Sequence, residues 1–95
     1  MAIRWQYARY VTRVGSEYLP DDFSLYLPEK TISSENMEDL IIEIAGRHPR
    51  EDEAGLDLFL NALGGVGWEL IHLSESASES LGYSSANFYF KRQIL

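Results

Sequence analysis

Leu60-Asn61-Ala62-Leu63-Gly64-Gly65-Val66-Gly67-Trp68-Glu69-Leu70 changes its period halfway along. Upstream, Leu56, Phe59, Leu60 and Leu63 repeat at the spacing of one helix face, which predicts a helix over roughly Glu51 to Leu63. Glu51, Asp52 and Glu53 stand at its start, where carboxylates complement the exposed amides of a first turn. Downstream, Trp68, Leu70 and His72 alternate with Glu69, Ile71 and Leu73, the two-residue period of a strand over Val66 to Glu75. Apolar residues on both faces predict that this strand is central in its sheet, or buried on both sides by packing or by a partner. Leu60 and Leu63 dock the last helical turn, Gly64 or Gly65 supplies a left-handed cap, and Gly67 admits Trp68 to the core. The stretch is therefore a folding corner between a helix layer and a sheet.

Ile3 to Val14 alternates as an opening strand. Ile3, Trp5, Tyr7 and Val11 share one face; Arg4, Gln6, Tyr10 and Thr12 share the other. Gly15 and Ser16 end it. Pro20, Asp21, Asp22 and Pro28 mark residues 16–30 as loop and turn, around a short edge strand at Phe23–Leu27. Ser33 or Ser34 can cap a first helix whose stripe is Met37, Leu40, Ile41, Ile44 and Ala45, with Gly46 to Pro49 ending it. Ser74 to Gly82 reads as a polar hairpin loop. Tyr83 to Leu95 is a closing strand, with Ala86, Phe88, Phe90 and Ile94 facing opposite to Asn87, Tyr89, Lys91 and Gln93.

Ninety-five residues with 45% hydrophobic content suit a single domain over residues 1–95. The economical architecture is a two-layer α+β fold, a three- to four-stranded antiparallel sheet packed on two helices in the order β-(β)-α-α-β-β. Tyr7, Tyr10, Tyr83 and Tyr89 are more aromatic surface than one sheet face can hide against two helices. A second copy of the chain is expected to cover the other face, so a homodimer is the expected state.

The run Leu60 to Leu70 resembles the centre of a family of small bacterial and phage proteins catalogued as domain of unknown function 4177. That family pairs a W-x-Y opening strand with L-N-x-L-G-x-x-G-W-E-L and a lysine–arginine ending. Trp5-Gln6-Tyr7 and Lys91-Arg92 match the two ends here, with Phe88-Tyr89-Phe90 before the second. The resemblance covers about residues 3–14 and 55–93, and marks 15–50 as an insertion. It implies a β-α-β-β core and brings no established chemistry with it.

The net charge of −7 is unevenly spread. Arg4, Arg9 and Arg13 open the chain without an acid, and Lys91 and Arg92 close it. Fifteen acids against eight bases disfavour double-stranded nucleic acid and anionic membranes, both of which select a basic surface. The acidic middle is either a solvated face or a surface for a basic protein. Its candidate residues are Glu35, Glu38, Asp39, Glu43, Glu51, Asp52 and Glu53. The opening residues lack the apolar run of a signal peptide, so a cytoplasmic location is the expectation.

Little supports catalysis. There is no cysteine, His48 sits in a helix-ending Arg47-His48-Pro49 run, and His72 lies on a strand. Neither histidine has metal-ligand spacing, and no serine lies in a G-x-S-x-G elbow. No catalytic residue, metal or cofactor is expected. Gly64-Gly65-Val66-Gly67 follows a helix C-terminus, whereas phosphate loops precede an N-terminus. If the terminal strands are neighbours, Arg4, Arg9, Tyr10, Tyr83, Tyr89, Lys91 and Arg92 form a basic aromatic surface. That surface could join copies of the chain, hold a small anionic metabolite or nucleotide between subunits, or bind single-stranded nucleic acid. The expected function is a non-enzymatic interaction module, with a phage-type inhibitor of a basic host protein as one form of it. The competing reading is a small-ligand binder.

Overall fold

The computed structural model of the chain describes residues 3–15, 20–78 and 83–94, with the side chains of Ser78 and Tyr83 outside the description. Residues 16–19 and 79–82, the latter within the stretch read as a hairpin loop, also lie outside it. The fold is α+β. Its elements are β1 (Arg4–Val14), β2 (Asp22–Tyr26), β3 (Thr31–Ser34), α1 (Met37–Ala45), α2 (Gly55–Gly65), β4 (Glu69–Ser78) and β5 (Tyr83–Ile94). They form a five-stranded antiparallel sheet in the order β3-β2-β1-β5-β4. The sheet thus exceeds the three or four strands expected, because β3 arises where the sequence reads as a loop leading to a cap. Its Ile32 pairs with Leu25 and extends the core face by one strand.

Register explains which residues are buried. Tyr10 pairs with Leu25 on one side and Phe88 on the other; Ala8 pairs with Phe90. All five are buried on the face that the helices cover, together with Leu40, Ile41, Leu58, Phe59, Leu63 and Trp68. Tyr10 is fully enclosed, 4.6 Å from the Phe59 ring and 5.4 Å from the Phe88 ring. Burial holds its phenol protonated well above the ordinary range, and its hydroxyl has no hydrogen-bond partner among the described residues.

The strand after the corner is not central but an edge. Among the described residues β4 pairs with β5 alone, and a register shift falls between Leu70 and His72. This bulge absorbs Ile71, so Leu70 and Leu73 both lie on the helix side, across from Phe90 and Phe88. An unbroken alternation would place them on opposite faces. The apparent two-faced apolarity comes from that one extra residue.

The helices begin later than their acid-rich leaders imply. Asn36, not Ser33 or Ser34, caps α1, its side chain accepting from Glu38 N–H at 2.8 Å. Gly46 closes α1 in the left-handed conformation (φ 76°), its N–H bonded to the Ile42 carbonyl. Glu51 to Glu53 form a turn ahead of α2, whose first-turn acid is Asp57. Gly64 and Gly65 are helical, and Gly67 (φ 97°) makes the left-handed turn. There the Trp68 N–H reaches back to the Leu63 carbonyl at 3.0 Å and delivers the indole to the core. Leu60 packs half-buried against the core. Among the described residues, no helix is long and apolar enough to cross a membrane.

Candidate functional site

β1 and β5 are neighbours along their whole length, so the two basic strands do meet. The helices cover the side of Ala8 and Tyr10. Odd-numbered residues of both strands therefore project from the opposite, uncovered face of the sheet, which is organised in rows.

One row crosses every strand: His72, Tyr89, Arg9, Tyr26 and Thr31. The Arg9 guanidinium lies over the Tyr26 ring, 4.8 Å from its centroid, and the His72 and Tyr89 rings stand 5.9 Å apart. The adjoining row holds Glu69, Lys91 and Tyr7, and beyond it lie Gln93 and Trp5. Lys91 Nζ sits 4.4 Å from the Trp5 ring centroid. Trp5, Tyr7 and Tyr26 are 41%, 64% and 39% exposed. The other end of this face is polar and small. Ser24 and Ser33 share a 2.9 Å hydrogen bond, as do Ser76 and Ser85, and Arg13 faces Asp22 at 4.0 Å. The face is aromatic and cationic at one end and serine-lined at the other.

The structure brings Arg9, Tyr89 and Lys91 together there, and it removes other residues of the expected surface. Tyr10 belongs to the core, because its register places it under Phe59. Arg92 and Arg4 lie on the helix side of the sheet. The Arg92 guanidinium stacks 4.2 Å from the Trp68 ring centroid and donates to Gln6 Oε1 at 2.6 and 3.2 Å, so it clamps the glycine corner. Tyr83's side chain lies outside the described residues. Trp5, Tyr7, Tyr26 and His72 replace these members. The alternation of β1 already separates Trp5 and Tyr7 from Tyr10, but only the helix layer decides which face stays open.

On the helix layer, several acids are engaged within the chain. Glu38 contacts His48 Nδ1 at 2.6 Å, Glu43 meets Lys30 at 3.3 Å, and Asp39 accepts from the Ser34 hydroxyl at 2.6 Å. Glu35, Glu51 and Asp52 are exposed. Glu53 accepts from both Arg47 Nη atoms, at 2.8 and 3.0 Å, and from the Arg50 backbone at 3.1 Å. These bonds, the guanidinium's foremost, lower its pKa from 4.5 to about 2. A depressed folded-state pKa stabilises the fold above about 4.5 and loses that contribution as the pH falls towards 2. Glu53→Gln should therefore lower the melting temperature at pH 7, with the gap to wild type closing by pH 2. A gap independent of pH in thermal melts would show that the carboxylate charge is not what ties this turn to α1.

Among the described residues, no group of three or more His, Asp or Glu side chains is placed to hold a metal ion. A concavity of about 470 Å³ near the far end of β4 and β5 is lined by Thr12, Ala77, Ser84, Ala86 and Glu75, among others. Among the described residues its charged lining group is the Glu75 carboxylate, which disfavours an anion.

No family model and no curated protein matches the chain. Among solved structures, the chain is similar to that of a conserved kinetoplastid-specific protein from Trypanosoma cruzi. The two are 11% identical, with a TM-score of 0.59, over 94% of this chain and 98% of that one. At that identity the likeness concerns the fold alone.

Proposed function

We propose that the protein is a non-enzymatic interaction module that self-associates through the uncovered face of its sheet. The observation that carries this reading is the exposed group of Trp5, Tyr7 and Tyr26, interleaved with Arg9 and Lys91 on a face no helix covers. Aromatic and arginine side chains of this kind supply the anchors of protein interfaces. A second copy is the occupant that the charges favour. The same face holds Arg9, Arg13 and Lys91 together with Asp22 and Glu69, so a two-fold-related copy offers both signs to both signs. Such a dimer leaves the helix layer outward, where Glu35, Glu51 and Asp52 can meet a basic protein. Kinship with domain of unknown function 4177 remains part of this proposal, carried by Leu60 to Leu70 and the two strand ends.

The test is sedimentation of wild type beside a Trp5→Glu/Tyr7→Glu double variant. Neither side chain belongs to the buried core, so the fold should persist by circular dichroism. Self-association should weaken roughly 100-fold, the scale of losing aromatic anchors. Unchanged association would overturn the face-to-face arrangement.

A second reading, a binder of small anionic aromatic molecules, draws on the two cation–ring pairs, Arg9 on Tyr26 and Lys91 on Trp5. Native mass spectrometry of gently purified protein would show a retained ligand if it holds.

A further inference from the structure

β4 offers a different surface. It is ten residues long, forms one edge of the sheet, and contains neither lysine nor proline; the bulge at Ile71 interrupts only its first part, and His72 to Ser78 keep a regular register. On the helix side it is also poorly sheltered. Five strands span about 24 Å and two helices cover about 20 Å. The cover is displaced towards the opposite edge, because α1 packs on β2 and β3. Within α2, Gly55 faces Ile41 of α1 so closely that a β-carbon there would lie 3.0 Å from Ile41 Cδ1. Leu56 and Leu60 fall on the other flank of the helix, away from α1. Leu70 and Leu73 are each 43% exposed, and the bulged Ile71 is 45% exposed.

We propose that β4 pairs antiparallel with β4 of a second copy about a two-fold axis at Leu73, merging two five-stranded sheets into one of ten. The pattern of β4 itself selects this partner and register. A two-fold axis normal to the sheet keeps helix side against helix side, so the axis passes through a residue rather than between two. Centred on Leu73, the pairing sets Leu73 against Leu73, His72 against Ser74 and Glu75 against Ile71 of the other copy, and opposes no like charges. Centred on Ser74 it would lose the Leu73–Leu73 contact on the axis; centred on Glu75 it would oppose two carboxylates. Leu70 and Leu73 of both copies then share the strip that neither helix layer covers, and each free backbone edge finds hydrogen bonds. This surface is separate from the uncovered face and is added to the reading above. The two contacts have perpendicular axes, so together they build assemblies larger than a dimer.

Leu73→Lys places two cations on the axis and removes two apolar contacts, on a side chain exposed enough for the fold to survive. Edge pairing should weaken roughly 100-fold, seen by sedimentation as loss of every species above the two-copy form. Amide exchange provides the independent reading: β4 amides should be protected at high protein concentration and exchange rapidly on dilution. Variant and wild type with the same mass distribution and the same fast β4 exchange would overturn edge pairing, and would leave the face contact standing. Loss of the larger species in Trp5→Glu/Tyr7→Glu, with β4 protection retained, would support the edge and isolate it from the face. Protection that arises only when a foreign extended segment is added would assign the edge to that partner and overturn self-pairing.

Discussion

Phe59→Ala is expected to destabilise the fold by roughly 3–5 kcal/mol, a large share of the total for a domain of this size. Phe59 is completely buried, and its ring is what α2 presents to the sheet. It lies 4.6 Å from Tyr10, which in turn touches Phe88, so these rings join the helix layer to β1 and β5. Alanine leaves a void beneath Tyr10, and neighbours that are themselves fully packed cannot close it. Urea denaturation followed by tryptophan fluorescence reads the loss. Phe59→Leu keeps most of the volume and should cost about 1–1.5 kcal/mol, which gives a graded series even if the alanine variant unfolds. A loss below 1 kcal/mol for Phe59→Ala would mean that α2 does not dock as described.

The second large effect concerns the corner. Gly67→Val should cost roughly 2–4 kcal/mol, since a β-branched residue must adopt a left-handed backbone. Its Cβ would also lie 3.2 and 3.3 Å from Arg92 Cδ and Cγ, pressing on the side chain that stacks over Trp68 and binds Gln6. Gly64→Ala is the matched contrast. It is helical, a Cβ there meets nothing within 4 Å, and alanine should raise stability by about 0.5–1 kcal/mol. Thermal unfolding of the two variants side by side decides the matter. Equal effects would return the left-handed turn to the glycines inside the helix, against the observed φ of 97° at Gly67.

Those two glycines show where sequence reading succeeds and where it stops. Leu60-Asn61-Ala62-Leu63 and the alternation after Gly67 announce helix, corner and strand, because the period of apolar residues reports local backbone directly. Which of three nearby glycines carries positive φ depends on how far the helix runs before the sheet captures Trp68. The same division holds for Tyr10. Its alternation partners were legible, but whether its face is core or solvent was decided by Phe59, forty-nine residues away in sequence. Arg92 likewise reads as a surface cation until Trp68 and Gln6 are placed beside it.

Local pattern therefore carries the α+β class, the helix stripes, the grouping of Trp5 with Tyr7 and of Tyr89 with Lys91, and the meeting of helix and sheet at Gly67 and Trp68. Tertiary structure decided the rest: the fifth strand, the edge position of β4, the bulge at Ile71 and the choice of covered face. Side-chain period is a property of a single element. Strand order, layer placement and exposure are relations between elements, set by where two helices can cover a sheet wider than themselves.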